Sequence, residues 1–219
     1  MNLSVLGATG NVGSRLTAQA LTAGHHITAL VRNPGTLPAA LPNTEGLSVV
    51  QVAVEDRAAL LESLRGADVA VVSITGKMSE RSFMQDRLPG ILEACREAGV
   101  GRVLLVSVFG AGDTAAKASP LARLVYSTVL RGFLADKAAA DLLLIDSGLP
   151  FTIAYPVNLK DAAALPTQLA LPLERVAGVP GMPTLPLDNA AAALLGLAED
   201  PDLTGRRVLI TGETGVRTA

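Results

Sequence analysis

The sequence predicts an α/β fold: a doubly wound parallel sheet with helices on both faces and a small C-terminal substrate lobe. Three observations predict it. Short β-branched runs alternate with helical patterns along the 219 residues, as right-handed β-α-β crossovers require. Most of the runs are apolar throughout, which suits parallel strands covered on both faces. A glycine-rich turn joins the first run to the first helical pattern.

The elements follow in order. Leu3–Leu6, Ile27–Val31, Leu47–Val52, Val69–Ile74, Val103–Val108, Phe151–Ala154 and Val208–Ile210 read as strands. Val12–Ala23 and Ala58–Leu64 read as helices. In Phe83–Ala98, Met84, Leu88, Ile91, Leu92 and Cys95 recur at helical spacing, with Glu93, Arg96 and Glu97 opposite. Pro89 means that this helix is kinked or begins near there. A further helix is expected from about Leu121 to Ser147 with a break near Gly132, and a last one over Asp188–Leu197. Residues 1–219 form one domain. Residues 159–187, with five prolines and little periodicity, are expected as an insertion, either lining a substrate pocket or decorating the surface.

Composition narrows the function. The chain is 49% hydrophobic and 17% charged, which fits a globular domain rather than a disordered one. A net charge of −2 argues against a nucleic-acid partner or an acidic membrane, since both need a basic face. One cysteine, Cys95, excludes an internal disulfide framework and a multi-cysteine metal site, and no metal site is expected. The start MNLSVLG has no basic leader, and no uncharged apolar run is long enough to cross a bilayer. A cytoplasmic protein, monomeric or homodimeric, is the expectation.

The strongest local signal is LSVLGATGNVGSRL, residues 3–16. Gly7, Gly10 and Gly13 fall where a dinucleotide fold of Rossmann type needs a tight turn, a close backbone approach to a pyrophosphate, and close helix–strand packing. Phosphates then sit on free N–H groups at the positive end of the helix. The spacing is G-x-x-G-x-x-G rather than G-x-G-x-x-G, and no Gly-Lys-Ser/Thr follows, which excludes a P-loop. The second strand ends ITALVRNP, with Arg32 where an acid would select NAD, and no acid follows until Glu45. A guanidinium suits a ribose 2′-phosphate. The expected cofactor is therefore NADP, with NADPH preferred over NADH. Arg15, in the first helical turn, is a candidate second positive group.

GATGNVG, VRNP, GADVAVVSITG, GVGRVLLVSVFGAG, LADKAAADLLLIDSGLPFTIAYP and PLDNAAAALLGLAEDPDLTGRRVLITG together resemble the atypical short-chain dehydrogenase/reductases. Within them, the chain is similar to the NAD(P)H-binding group of biliverdin reductase B-like flavin reductases and NmrA-like proteins. The resemblance implies that Gly7, Ala8, Thr9, Gly10, Asn11, Val12 and Gly13 form the pyrophosphate loop and that Arg32 meets the 2′-phosphate. It implies that Ser73, Ile74 and Thr75 pass over the adenosine side and that Ser107 lies beside the nicotinamide ribose. Lys137 matches the lysine of Tyr-x-x-x-Lys, which holds the ribose hydroxyls in relatives. Pro156, Val157 and Asn158 match the turn whose backbone meets the carboxamide.

The departures from that pattern matter more. Phe133 stands in the place of the catalytic tyrosine. Val108 and Phe109 stand where relatives carry a serine that polarises a carbonyl, and Ala53 replaces an aspartate near the adenine. Proton transfer from a positioned acid contributes roughly 10²–10⁴-fold, and a phenyl ring cannot supply it. Tyr126 and Tyr155 are alternative phenols, each read first as a packing residue. Lys137 is the candidate catalytic residue, as an electrostatic group; otherwise it is a solvated helix lysine paired with Asp141 or Asp136. His25 and His26 are read as surface residues on the wrong side of the sheet.

Three readings follow. The leading one is an NADPH-dependent oxidoreductase passing hydride to a planar acceptor such as a flavin or quinone, which needs no positioned acid. The acceptor would stack between residues 76–82, 109–119 and 159–187, near Phe109 and Phe133. The alternative is a non-catalytic NADP(H)-binding redox sensor of NmrA-like type. The third is an epimerase or ketoreductase with a displaced tyrosine.

Overall fold

The computed structural model describes residues 1–38, 41, 44–212 and 216–218. Its strands are β1 (Asn2–Leu6), β2 (His26–Val31), β3 (Leu47–Gln51), β4 (Val69–Val72), β5 (Arg102–Val106), β6 (Phe151–Pro156), β7 (Asn158–Lys160), β8 (Leu169–Pro172), β9 (Val176–Gly178), β10 (Thr184–Pro186), β11 (Arg206–Thr211) and β12 (Arg217–Thr218). The helices are α1 (Asn11–Thr22), α2 (Arg57–Leu64), α3 (Phe83–Ala98), α4 (Pro120–Thr128), α5 (Arg131–Asp146) and α6 (Leu187–Glu199).

The main sheet runs β3-β2-β1-β4-β5-β6-β11-β8. All neighbours are parallel except β8, which lies antiparallel to β11 at the edge. The order reverses between β1 and β4, and in open parallel sheets ligands bind outside the carboxyl ends at such a switch point. Helix α1 packs beside α6, while α2, α3 and α5 form a second row. The central strands β4 and β5 are buried along their whole length, as expected of a sheet covered on both faces.

Several expectations are corrected. Strands β4 and β5 stop at Val72 and Val106, short of the predicted Ile74 and Val108, because the chain turns out of the ladder at the carboxyl edge. Residues 159–187 are not featureless: they hold β8, β9 and β10. β8 pairs with β11 and β9 with β12, both distant in sequence, while β10 pairs with β7 at the start of the stretch. The break between α4 and α5 falls at Val129–Leu130 rather than at Gly132. Phe133 and Lys137 therefore share one unbroken helix, while Tyr126 belongs to another.

Helix α3 starts at Phe83 and continues through Pro89. Its start is fixed from outside. Asp136, buried on α5, accepts from Met84 N at 2.9 Å and Gln85 N at 3.1 Å, two donors that the first helical turn leaves orphaned. Replacing Asp136 by Ala should cost about 2 kcal/mol or more, since buried N–H groups would lose a charged acceptor. Urea unfolding measures this, and Asp136→Asn should recover part of the loss.

Candidate functional site

The first strand, the glycine turn and α1 build one wall of the site. Gly7 has φ +93°, and a Cβ there would lie 2.3 Å from Ser73 O. Gly13 packs so tightly that its Cβ would lie 2.2 Å from Gly7 O. The cap residue of α1, Gly10, offers no side-chain acceptor. Among the described residues, the N–H groups of Asn11, Val12 and Gly13 meet no protein acceptor, so the helix tip presents free donors.

A cleft opens at the carboxyl ends of β1, β2, β3 and β4. Of the predicted residues, Gly7, Thr9, Gly10, Arg32, Ser73, Ile74 and Thr75 line it. Ala8 is buried beneath the turn, Val12 is half-buried at the tip of α1, and Asn11 is exposed. Arg32 is exposed at the end of β2, and among the described residues its guanidinium makes no ion pair. Arg15 is committed elsewhere: it pairs with Asp161 at 2.8 Å and Asp188 at 3.2 Å and donates to Asn11 O. It is therefore not a spare charge at the cleft.

Sequence reasoning missed the far wall. Val52, Val54, Glu55, Phe83 and Arg87 line it. The alternation after β3 buries Val52, exposes Ala53 and half-buries Val54, so Ala53 points away and its neighbours face the cleft. The period-2 pattern of QVAV was the available signal. The Arg87 guanidinium stacks 4.3 Å from the Phe83 ring centroid and pairs with Glu55 at 3.1 Å, which makes a flat shelf suited to a purine.

Lys137 lies under the floor of the site. It is 4% exposed, and Nζ donates to Ile74 O at 3.2 Å, two residues past β4, and to Val106 O at 3.4 Å, at the end of β5. Burial pushes its pKa down to about 8, while Asp141 and Asp136 work in the opposite direction. The solvated-lysine reading is thus overturned. Among the described residues no carboxylate comes within ion-pair distance of it.

Ser107, at the end of β5, is buried and donates to Asp141 Oδ2 at 3.1 Å. Pro156, Val157 and Asn158 follow β6, but Val157 N is used by Ile210 O at 3.0 Å and is not free for a ligand. Phe133 is half-buried and Phe109 is buried, both packed with the core. Neither tyrosine replaces the missing phenol: Tyr155 is wholly buried and donates to Asp141, and Tyr126 fills space beside Gly110. Cys95 is buried with its thiol pushed up to about 12, so it is inert. His25 pairs with Glu199 at the amino ends of the strands. Among the described residues no His/Cys/Asp/Glu cluster could hold a metal, and no helix is long and apolar enough to cross a membrane.

A family profile described as NAD(P)H-binding matches residues 7–201, from the glycine turn to beyond α6. The chain belongs to the NAD(P)H-binding family. A curated relative named "probable pinoresinol-lariciresinol reductase 3" from Arabidopsis thaliana is 25% identical over 150 residues, 68% of this chain. The aligned stretch spans only 44% of that relative. Among solved structures, ChuY, described as an anaerobilin reductase from Escherichia coli O157:H7, has a TM-score of 0.77 at 20% identity, covering 98% of each chain. A short-chain dehydrogenase/reductase from Veillonella parvula in complex with NADP has a TM-score of 0.79 at 18% identity, covering 99% of this chain and 96% of that one. At these identities the likeness establishes the fold: a mostly parallel sheet of Rossmann type. Family membership makes this chain an NAD(P)H-binding protein.

Proposed function

We propose that this NAD(P)H-binding protein is an NADPH-dependent reductase of a planar acceptor, such as a flavin or quinone, working without a Ser-Tyr acid pair. One observation carries the reading: Phe133 sits one helical turn before the buried Lys137, and no phenol takes its place. The residues fit a dinucleotide. Gly7 and Gly13 leave a cradle that a Cβ would fill, and the tip of α1 offers free N–H donors. Arg32 offers a free guanidinium to a 2′-phosphate. When bound, the dinucleotide supplies hydride from its nicotinamide ring.

The chain's own contribution is orientation and electrostatics. Lys137 fixes the ends of β4 and β5 and places a positive charge below the reacting ring. An acceptor whose added negative charge spreads over conjugated rings takes its proton from water, so Phe133 need only pack. The acceptor lies against residues 76–82, 109–119 and 159–187, and the protein acts in the cytoplasm as a monomer or homodimer.

Rapid mixing of the NADPH-loaded protein with flavin mononucleotide and a small quinone tests the reading. Nucleotide oxidation is expected, and its absence with both acceptors would overturn it. Arg32→Ala should weaken NADPH binding by about 10–100-fold, the worth of a charge-assisted contact. NADH binding should stay unchanged, both read by fluorescence titration.

The same lack of an acid favours a second reading, a non-catalytic sensor of the NADP/NADPH balance. Calorimetry separates them, because a sensor binds one redox form far more tightly than the other.

A further inference from the structure

The largest group of buried polar side chains that the reading above does not use lies behind the reaction centre. Asp141 sits one turn beyond Lys137 on α5 and is 5% exposed. Its Oδ2 accepts from Ser107 Oγ at 3.1 Å and from Tyr155 OH at 2.9 Å. Tyr155 OH accepts from Arg207 Nε at 3.1 Å, and Arg207 is held by Asp113 at the surface through two hydrogen bonds. The chain therefore runs from the surface ion pair of Arg207 on β11, through the wall of the sheet, to Ser107 just past the end of β5. Among the described residues, the other carboxylate oxygen, Asp141 Oδ1, is buried without a partner. A buried carboxylate with an empty oxygen is expensive to keep for packing alone.

We propose that Asp141 is the positioning residue of the reaction centre, fixing the Ser107 hydroxyl and holding the charge of Lys137, with Tyr155 and Arg207 as its anchor. This rests on the reductase reading for its purpose but not for its test. Lys137 spends its hydrogen bonds on two neutral carbonyls, so among the described residues no group in direct contact compensates its charge. The groups facing it are the two carboxylates of its own helix, Asp141 and Asp136. Asp136 is engaged by the α3 backbone, which leaves Asp141 as the carboxylate not tied to a helix end. Asp141 in turn faces Ser107 just past β5, Tyr155 on β6, Arg207 on β11 and Lys137 on α5. Burial holds the Asp141 carboxyl up at about 6, against the hydrogen bonds from Ser107 and Tyr155 and then the charge of Arg207, which favour its ionised form. Ionised Asp141 keeps Lys137 protonated, and losing that charge lets the lysine lose its proton at lower pH.

The experiment reads Lys137 directly and needs no nucleotide. The chain has four lysines, at 77, 117, 137 and 160, so ε-¹³C-lysine labelling gives four resonances, and Lys137→Met assigns one. In the wild type the Lys137 resonance should titrate well below the usual lysine value of about 10.4. In Asp141→Asn its midpoint should fall by about 1 pH unit or more, the effect of removing one nearby opposite charge. Should Asp141→Asn fail to fold, Asp141→Leu removes the same charge and leaves an apolar side chain of similar size in the core, and the Lys137 midpoint should fall there too. An unmoved midpoint in the folded variant overturns the proposal. NADPH titration across pH is the companion measurement: its affinity should fall as Lys137 deprotonates, at lower pH in the variant. Wild-type protein that binds no nucleotide but shows the midpoint shift would refute the reductase reading and leave the Asp141 assignment standing.

Discussion

Gly13→Val is expected to abolish dinucleotide binding, raising the dissociation constant at least about 100-fold, the loss of a few charge-assisted contacts at once. A Cβ at 13 would lie 2.2 Å from Gly7 O, 2.9 Å from Gly7 C and 3.2 Å from Ala8 Cα. Every one of these atoms is backbone, so no rotamer change relieves the clash, and α1 must back away from the turn. The free N–H groups of its first turn move with it, and a diphosphate held between the tip and Gly7 loses its donors together. Overpacking of this kind also costs about 1–3 kcal/mol of stability. Gly196 is the control, because it lies inside α6 with nothing within 4 Å of its Cβ. Gly196→Ala should stabilise the fold by about 0.5–1 kcal/mol and leave binding alone. Fluorescence titration and urea unfolding separate the two effects. Retained affinity in Gly13→Val would show that no diphosphate sits on that helix tip.

The turn was legible because its constraint is local: the strand, glycines and helix start occupy fourteen consecutive residues, and each glycine answers a backbone contact. The alternation of elements was legible for the same reason. Where distant partners decide, the sequence was silent. The strands β8 and β9 hide in a proline-rich stretch because their ladders close with segments far away. The α3 start is set by Asp136, fifty-two residues on from Met84, so a rule about Pro89 could not find it. Gly132 looked like the α4–α5 break, yet the chain breaks at Val129–Leu130 and Gly132 packs beside the Arg81 side chain in the first turn of α5. The candidate site divides in the same way. Arg32 follows from its place at a strand end. The Phe83–Arg87 shelf joins the cleft only once α3 has docked.

Lys137 was legible as a candidate charge at the site but its burial was not, because a lysine flanked by acids on a helix also reads as solvated, and here it is buried with its pKa pushed down to about 8. Lys137→Met is expected to stabilise the fold and weaken dinucleotide binding together. In the unfolded chain the lysine titrates near its usual value of about 10.4. Between about 8 and about 10.4 the unfolded chain then holds more protons than the folded one, so stability rises with pH across that window. Below about 8 both states are charged, and the full cost of burying the ammonium, about 3 kcal/mol, applies. Methionine keeps the length and removes the charge, while Ile74 O and Val106 O lose a donor at about 1 kcal/mol each. The net gain at pH 7 is about 1 kcal/mol; it should vanish near about pH 9, and above about pH 10 the variant should be the less stable protein by about 2 kcal/mol, the two lost donors. Thermal unfolding from pH 6 to 10 measures it beside an NADPH titration. A variant less stable than wild type at pH 7 would mark Lys137 as a structural donor. A more stable variant with impaired binding would mark a charge retained in the core for what it does at the carboxyl ends of β4 and β5.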